Sequence, residues 1–379
     1  MKKICYVATI PAVVHAFLRG HIGAAAEKYE VTIICNNADV YLLEGINARL
    51  IVLPIERKIS PWRDLLVLIE LVLLFRRERF DLVHSIMPKT GLLSMLAAWV
   101  AGVPNRIHIF TGQVWATKQG WKRRFLKLFD KLIALFATRI LTDSPSQRDF
   151  LVSEGVLLQD ECIVIGDGSI CGVDMGQFNP DVQLRNKVRT ELNISPAQTI
   201  ILFLGRLNRD KGILDLATAF TEIASHYSDV VLVLVGSEED ISFLCVQEIC
   251  GVHRERLRRV SFTANPEHYM AAADIFCLPS YREGFGQVII EAGASGVPTV
   301  ASRIYGITDA VEDGKTGLLF TAGDVAGLTQ SLLKLINNPF LRQEMGESAR
   351  VRALELFPSH KITEGMLSLY SELLTERHD

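Results

Sequence analysis

Short apolar runs recur along the chain, separated by stretches with helical spacing. Residues 1–10, 31–36, 49–53, 80–86, 105–110 and 140–143 read as strands. Strands alternating with helices imply an α/β domain with a parallel sheet. A second rhythm begins at Ser195-Pro196, with strands at Thr199–Leu204, Val230–Val235, Val260–Phe262, 274–278 and Thr299–Ala301. Between the two rhythms lie Gly166, Gly168 and Gly172, then Phe178-Asn179-Pro180, which read as a hinge. The pattern predicts two α/β domains, 1–178 and 179–358. A tail over 359–379, helical from about Ser359 to Thr375, is expected to cross back to the first domain. A chain of 379 residues is too long for one ordinary core.

Two stretches in the first half stand out. Leu65 to Phe75 is strongly apolar but contains Glu70, and eleven residues fall short of the ~20 that span a bilayer. A buried helix is the default, with a lipid-touching helix as the alternative. Residues 118–136 set a basic face over an apolar one at helical spacing. Such a helix either lies in a membrane interface or packs its apolar face inward. The run Met1 to Ile10 is short and stopped by Pro11, so it reads as a first strand and not as a signal peptide.

Composition narrows the class. The chain is 49% hydrophobic and 22% charged, as expected of a globular protein. Seven cysteines with no Cys-x-x-Cys argue against a disulfide framework or a structural zinc site, and for a reducing cytosol. Residues 1–180 hold 21 Lys and Arg against 17 Asp and Glu; residues 181–379 hold 19 against 26. A basic first half suggests an anionic partner.

The candidate chemistry centres on the stretch from Ser280 to Gly293. A strand stopped by Pro279 leads into a glycine-bracketed Phe285, and a helix pattern starts near Gln287. The first N–H groups of a helix lack partners and attract anions. Glu283 and Glu291 flank this turn. Carboxylates only accept hydrogen bonds, so they suit a ligand with hydroxyls at both ends and phosphate between, as in a nucleotide-sugar. Upstream, Arg206 and Lys211 share the loop Gly205–Gly212, where two cations can neutralise a diphosphate. In the first half, His15, Arg19 and His21 follow the first strand, and His84 and Lys89 the strand over 80–86, at the sheet edge where ligands bind in these folds.

Gly205-Arg206-Leu207 with Lys211-Gly212, Glu283-Gly284-Phe285-Gly286 with Glu291-Ala292, Gly296-Val297-Pro298-Thr299 and Asp313-Gly314-Lys315-Thr316-Gly317 together resemble the retaining family-4 glycosyltransferases. The resemblance spans the second half and is looser in the first. It implies the GT-B fold, two Rossmann-like α/β domains facing across a cleft, with the acceptor in the first domain and the donor in the second. It implies catalytic roles for Glu283, Arg206 and Lys211, and donor contacts from Gly205, Ser237, Gly284, Phe285, Gly286, Val288 and Glu291. Acceptor contacts fall to Arg19, His84, Lys89, Thr111 and Gln113. Many relatives have a histidine where Thr111 stands, and His108 lies three residues earlier. No Asp-x-Asp motif occurs, consistent with catalysis without metal or other cofactor.

Val83-His84-Ser85 with Pro88-Lys89, and Phe110 to Trp115, are most similar to bacterial enzymes that extend polyprenyl-diphosphate-linked saccharides for O-antigen, capsule or N-glycan precursors. The implied enzyme moves a hexose or N-acetylhexosamine, with GalNAc the first guess, from a UDP-sugar. It would be cytoplasmic, peripheral on the inner membrane, with no nucleic-acid partner. The rival readings are a nucleotide-sugar epimerase or a phosphorylase on the same fold, and a non-catalytic nucleotide-sugar-binding subunit. A Rossmann dehydrogenase is disfavoured because no Gly-x-Gly-x-x-Gly follows the first strand.

Overall fold

The computed structural model describes residues 1–37, 45–56 and 59–375. The chain forms two compact units, Met1–Gly172 with Ser359–Asp379, and Val173–Pro358. The first boundary falls earlier than residue 178. The Val173 N–H donates to the Phe357 carbonyl at 2.8 Å, which ties this stretch to the second unit.

The first unit is a seven-stranded, all-parallel sheet in the order β3-β2-β1-β4-β5-β6-β7. Its strands are β1 (Lys3–Val7), β2 (Glu30–Cys35), β3 (Ala48–Val52), β4 (Leu82–Ile86), β5 (Asn105–Phe110), β6 (Arg139–Thr142) and β7 (Cys162–Val164). The helices used below are α1 (Arg19–Ala26), α2 (Pro61–Glu78), α3 (Pro88–Ala101), α4 (Gly120–Phe136) and α5 (Pro145–Ser153). Parallel strands are buried on both faces, so their sequences are near-continuously apolar. Accordingly the unit has two apolar cores. One lies under α2, α3, α4 and α5. The other is closed by α1 and by the last helix, α6 (Ser359–Thr375).

That last helix is fixed by two polar contacts, one buried and one partly buried, besides Met366, Leu369, Tyr370 and Leu373. The Tyr370 hydroxyl meets His84 Nδ1 at 2.6 Å, and Thr363 Oγ1 meets His21 Nδ1 at 3.0 Å. After β1 the chain is helical from Pro11 to Ala26, with a π-type turn at Val14–Leu18. Pro11 stands at a helix start, where its missing N–H leaves nothing unpaired, so it does not break the run.

The second unit is a six-stranded parallel sheet, β10-β9-β8-β11-β12-β13, with one core. Its strands are β8 (Thr199–Leu204), β9 (Val230–Val235), β10 (Leu257–Val260), β11 (Ile275–Leu278), β12 (Thr299–Ser302) and β13 (Gly317–Phe320). Edge strand β10 starts before the expected 260–262. It accommodates Arg258 and Arg259, and Arg258 Nε donates to the Leu192 carbonyl at 2.6 Å. The entry helix Val182–Glu191 is anchored by Arg185 and Arg189, each 2.6 Å from Asp274. Strand order reverses between β8 and β11, because β8 continues to β9 on one side while β11 lies on the other. Ligands of open α/β sheets bind outside the carboxyl ends of the strands at such a reversal.

Candidate active site

The loops that leave β8 and β11 flank this reversal, and each is held by the other. Tyr281 N–H donates to the Asp210 carbonyl at 2.8 Å, and Arg282 Nη2 lies 3.1 Å from the Asp210 carboxylate. Tyr281 hydroxyl donates to Asp215 at 2.6 Å. Gly212, with φ of 68°, packs so closely that a Cβ there would come 2.0 Å from the Pro279 carbonyl oxygen. Only glycine fits, and the contact sets the distance between the two loops.

Within this frame Lys211 Nζ lies 2.5 Å from Glu283 Oε1, and the same oxygen accepts from Ser280 Oγ at 2.7 Å. Lys211 is positioned by a single turn of 3₁₀ helix, Arg209–Lys211, whose cap is Asn208: its Oδ1 accepts the Lys211 N–H at 2.9 Å. The other amide edge of Asn208 donates to Glu239 at 2.6 Å, and Glu239 also pairs with Arg206 Nη1. Glu239 comes from the loop after β9, which is zipped onto the β8 loop. Leu207 N–H donates to Ser237 O at 2.8 Å and Glu239 N–H to Leu207 O at 3.1 Å. A Cβ on Gly236 would sit 2.1 Å from the Gly205 carbonyl oxygen, so this approach also requires glycine.

The structure therefore joins Arg206, Lys211 and Glu283 through Glu239 and Asn208. Gly205 and Ser237 lie on the same two loops. Gly284 and Gly286 are buried in the β11 loop. Phe285 is buried too, its ring 5.2 Å from that of Phe357. The helix α7 (Gln287–Ala294) begins there, with Val288 half-buried in its first turn. Glu291 stands further along α7, outside this chain of contacts. Desolvation pushes its carboxyl up to about 7, against a lowering hydrogen bond from Gln287, and Glu267 adds a smaller upward effect. Asn208, Asp210, Glu239, Tyr281 and Arg282 carry the frame and were not singled out from the sequence. Asn208, three residues before the lysine it caps, was the one readable signal.

The acceptor candidates are divided. His84 is not available to a ligand: it is buried between Tyr6 and Tyr370, and desolvation holds its pKa down at about 3. Gln113 is buried as well. It donates to the Thr111 carbonyl at 2.8 Å, and its Oε1 accepts from Gln147. His21 is enclosed with its Nε2 2.7 Å from the Ile170 carbonyl oxygen, so it does not point at an anion. His108 is buried against Ser85 Oγ at 2.9 Å and fills the space beside Gly91, so its ring is enclosed within the unit. Lys89 pairs with Asp64 at 2.6 Å. Arg19 and Thr111 remain partly exposed at the carboxyl edge of the first sheet. Among the described residues no group of three or more His, Cys, Asp or Glu side chains is arranged to hold a metal ion.

Comparison with known proteins gives this arrangement its class. Residues 185–352 match the family described as glycosyl transferases group 1, and residues 22–166 match the glycosyl transferase 4-like domain. The chain belongs to the family-4 glycosyltransferases with the GT-B fold. A capsular polysaccharide biosynthesis glycosyltransferase, CapM, of Staphylococcus aureus is 30% identical, covering 99% of this chain and 98% of its own. A UDP-Gal:alpha-D-GlcNAc-diphosphoundecaprenol alpha-1,3-galactosyltransferase of Escherichia coli is 26% identical over 93% of this chain and 91% of its own. Among solved structures, Anabaena Alr3699/HepE in complex with UDP and glucose superposes with a TM-score of 0.81 at 19% identity, covering 98% of this chain and 100% of that one. Sucrose-phosphate synthase from Thermosynechococcus elongatus follows at 0.80 and 22%, covering 98% and 99%.

Proposed function

We propose that this glycosyltransferase moves a hexose or N-acetylhexosamine, GalNAc first among the candidates, from a UDP-sugar to a polyprenyl-diphosphate-linked saccharide, with retention of configuration. The observation that carries this reading is the Lys211–Glu283 contact at the β8/β11 reversal, a cation beside a carboxylate on two mutually fixed loops. Arg206 and Lys211 would take the donor diphosphate. Glu283 and the backbone of Phe285 and Gly286 would take the sugar hydroxyls, and Glu291 those of the ribose. The bond from the sugar's anomeric carbon to the diphosphate breaks as the acceptor oxygen bonds to that carbon on the same face. The acceptor's proton passes to the departing diphosphate oxygen, while the two cations balance the growing charge. Glu283 positions the sugar and does not attack it. No metal or other cofactor takes part in this scheme.

The relatives' names support the acceptor class, one a capsule enzyme and one acting on a diphosphoundecaprenol-linked sugar. On this reading Arg19, Lys89 and Thr111 belong to the acceptor side. The chain would act in O-antigen or capsule synthesis as a peripheral protein on the cytoplasmic face of the inner membrane. Among the described residues no helix is long and apolar enough to cross a membrane. The deciding experiment offers a panel of UDP- and GDP-sugars with short polyprenyl-diphosphate saccharides and reads products by mass. A product one sugar heavier from a UDP donor is expected. Conversion of the donor without acceptor would favour an epimerase, and binding without turnover a non-catalytic subunit.

A further inference from the structure

Two helices of the first unit leave apolar stripes uncovered. On α2 the residues Trp62, Leu66, Ile69 and Leu73 recur at spacings of four and three, so they share one face, and all four are exposed, Trp62 at 81%. The inward stripe is Val67, Leu71, Leu74 and Phe75. The apolar run is thus only half buried, which corrects the expectation of a buried helix. On α4 the residues Trp121, Phe125, Leu128, Leu132 and Leu135 form a second stripe at the same spacings. All but the half-buried Leu132 are exposed, Trp121 and Leu135 at 71% each. The inward side of α4 is narrow, with Asp130 and Ile133 buried.

The charges of α4 fall into two groups. Arg123 and Lys127 pair with Glu154, the C-cap of α5, at 2.7 and 2.8 Å and lie over the Trp115 ring, so they pin the helix to its unit. Lys118, Lys122, Arg124 and Lys131 are exposed; Lys118 precedes the helix, Lys122 lies 6.0 Å from the centre of the Trp121 ring, and by helical spacing Lys122, Arg124 and Lys131 border the outer stripe on its two sides. Among the described residues no ion pair engages these four. The one acid between 118 and 136 is Asp130, buried and accepting from Trp115 Nε1 at 2.7 Å. Helices α2 and α4 both pack against α3 on the same face of the sheet. Both follow strands of a parallel sheet, so both begin at its carboxyl edge, where Arg19, Lys89 and Thr111 lie.

We infer that the outer faces of α2 and α4 together form a docking surface for an anionic lipid bilayer. Its apolar stripes enter the headgroup layer and its four exposed cations meet lipid phosphates. A second copy of the chain is the less favoured occupant, because two-fold pairing through α4 would bring like charges together. Tryptophans at the first turns of both helices suit the interfacial zone. The inference rests on the membrane-side reading above and names the surface that would deliver it.

Co-sedimentation of the full chain with vesicles tests it without reference to catalysis. Wild-type protein is expected to sediment with phosphatidylcholine vesicles containing phosphatidylglycerol, to stay in solution with phosphatidylcholine alone, and to be released by salt. The variants Leu66→Ser/Phe125→Ser and Lys122→Glu/Arg124→Glu should each lower binding at least about tenfold. All four positions are exposed, so both variants should melt as wild type does. The emission of Trp62 and Trp121 should shift to shorter wavelength on the anionic vesicles. Wild-type protein that ignores anionic vesicles, or variants that sediment as well as wild type, would overturn the proposal. A dimer in solution that Phe125→Ser dissolves, with no vesicle binding, would assign the stripes to a second copy instead. Transfer to a water-soluble acceptor should persist in both variants, so its absence in wild type would count against the catalytic reading alone.

Discussion

The two units share a doubly wound parallel architecture and treat their polar residues in opposite ways. In the second unit the charged side chains at the strand reversal keep partial exposure on the loops and meet one another, as Lys211 meets Glu283 and Arg206 meets Glu239. In the first unit the comparable polar residues turn inward: His84 on β4 lies under Tyr370, His108 on β5 against Ser85, and His21 on α1 between Thr363 and the Ile170 carbonyl. A histidine near the carboxyl edge of a strand is therefore not by itself a ligand group. What decides is whether another element covers the strand's face. The last helix covers His84 and His21, and it arrives from the far end of the chain, whereas α3 covers His108 through Gly91.

The largest effect that could break this contrast is catalytic. Lys211→Ala and Glu283→Ala should each lose about 10²–10³-fold in transfer, on the order of 3 kcal/mol of transition-state stabilisation, with melting unchanged. Wild-type turnover in either variant would remove the site from the second unit. Next comes His84→Ala, which opens a cavity and orphans the Tyr370 hydroxyl. It should destabilise the first unit by about 3 kcal/mol while folded protein keeps its turnover.

The same histidine gives that unit an acid limit. Its folded pKa, lowered to about 3 from the ordinary 6.5, means that the unfolded chain binds the proton more readily. Stability from neutral His84 is therefore present above about 6.5 and is lost as pH falls towards 3, and His84→Phe should weaken that dependence. A melting temperature of His84→Ala equal to wild type would mean the crossing helix is held elsewhere.

The smallest effect sharpens the donor side. On the proposed reading Glu291, raised to about 7, accepts ribose hydroxyls more strongly once ionised, so donor affinity should rise as pH passes upward through about 7. Its neutral form favours the folded state at low pH, and that contribution is lost over the same rise. Glu291→Gln should flatten both the donor-affinity profile, to within about twofold, and the melting profile across this range. Titration calorimetry with UDP on either side of that pH checks the first, and an unchanged slope in the variant would move the titration to another group.

Much of the site was readable because it is local. Gly205 to Gly212 and Glu283 to Gly286 are short segments whose glycines and charges stand next to their strands in sequence, and the alternation of apolar runs outlined both sheets. Asp210 and Glu239 were harder to read, because their roles are pairings across loops far apart in the chain. The outward stripe of α4 was equally ambiguous. Helical spacing identifies an apolar face but not whether anything covers it, and here the inward side needs little more than Ile133.

From sequence alone came the α/β class, the two-part division, the crossing tail and the cation–carboxylate pattern, because periodicity and turn chemistry act over a few residues. The tertiary structure alone decided which polar groups are reachable. Burial depends on elements packed from distant parts of the chain, and one helix docked on a sheet turns a surface histidine into a core residue.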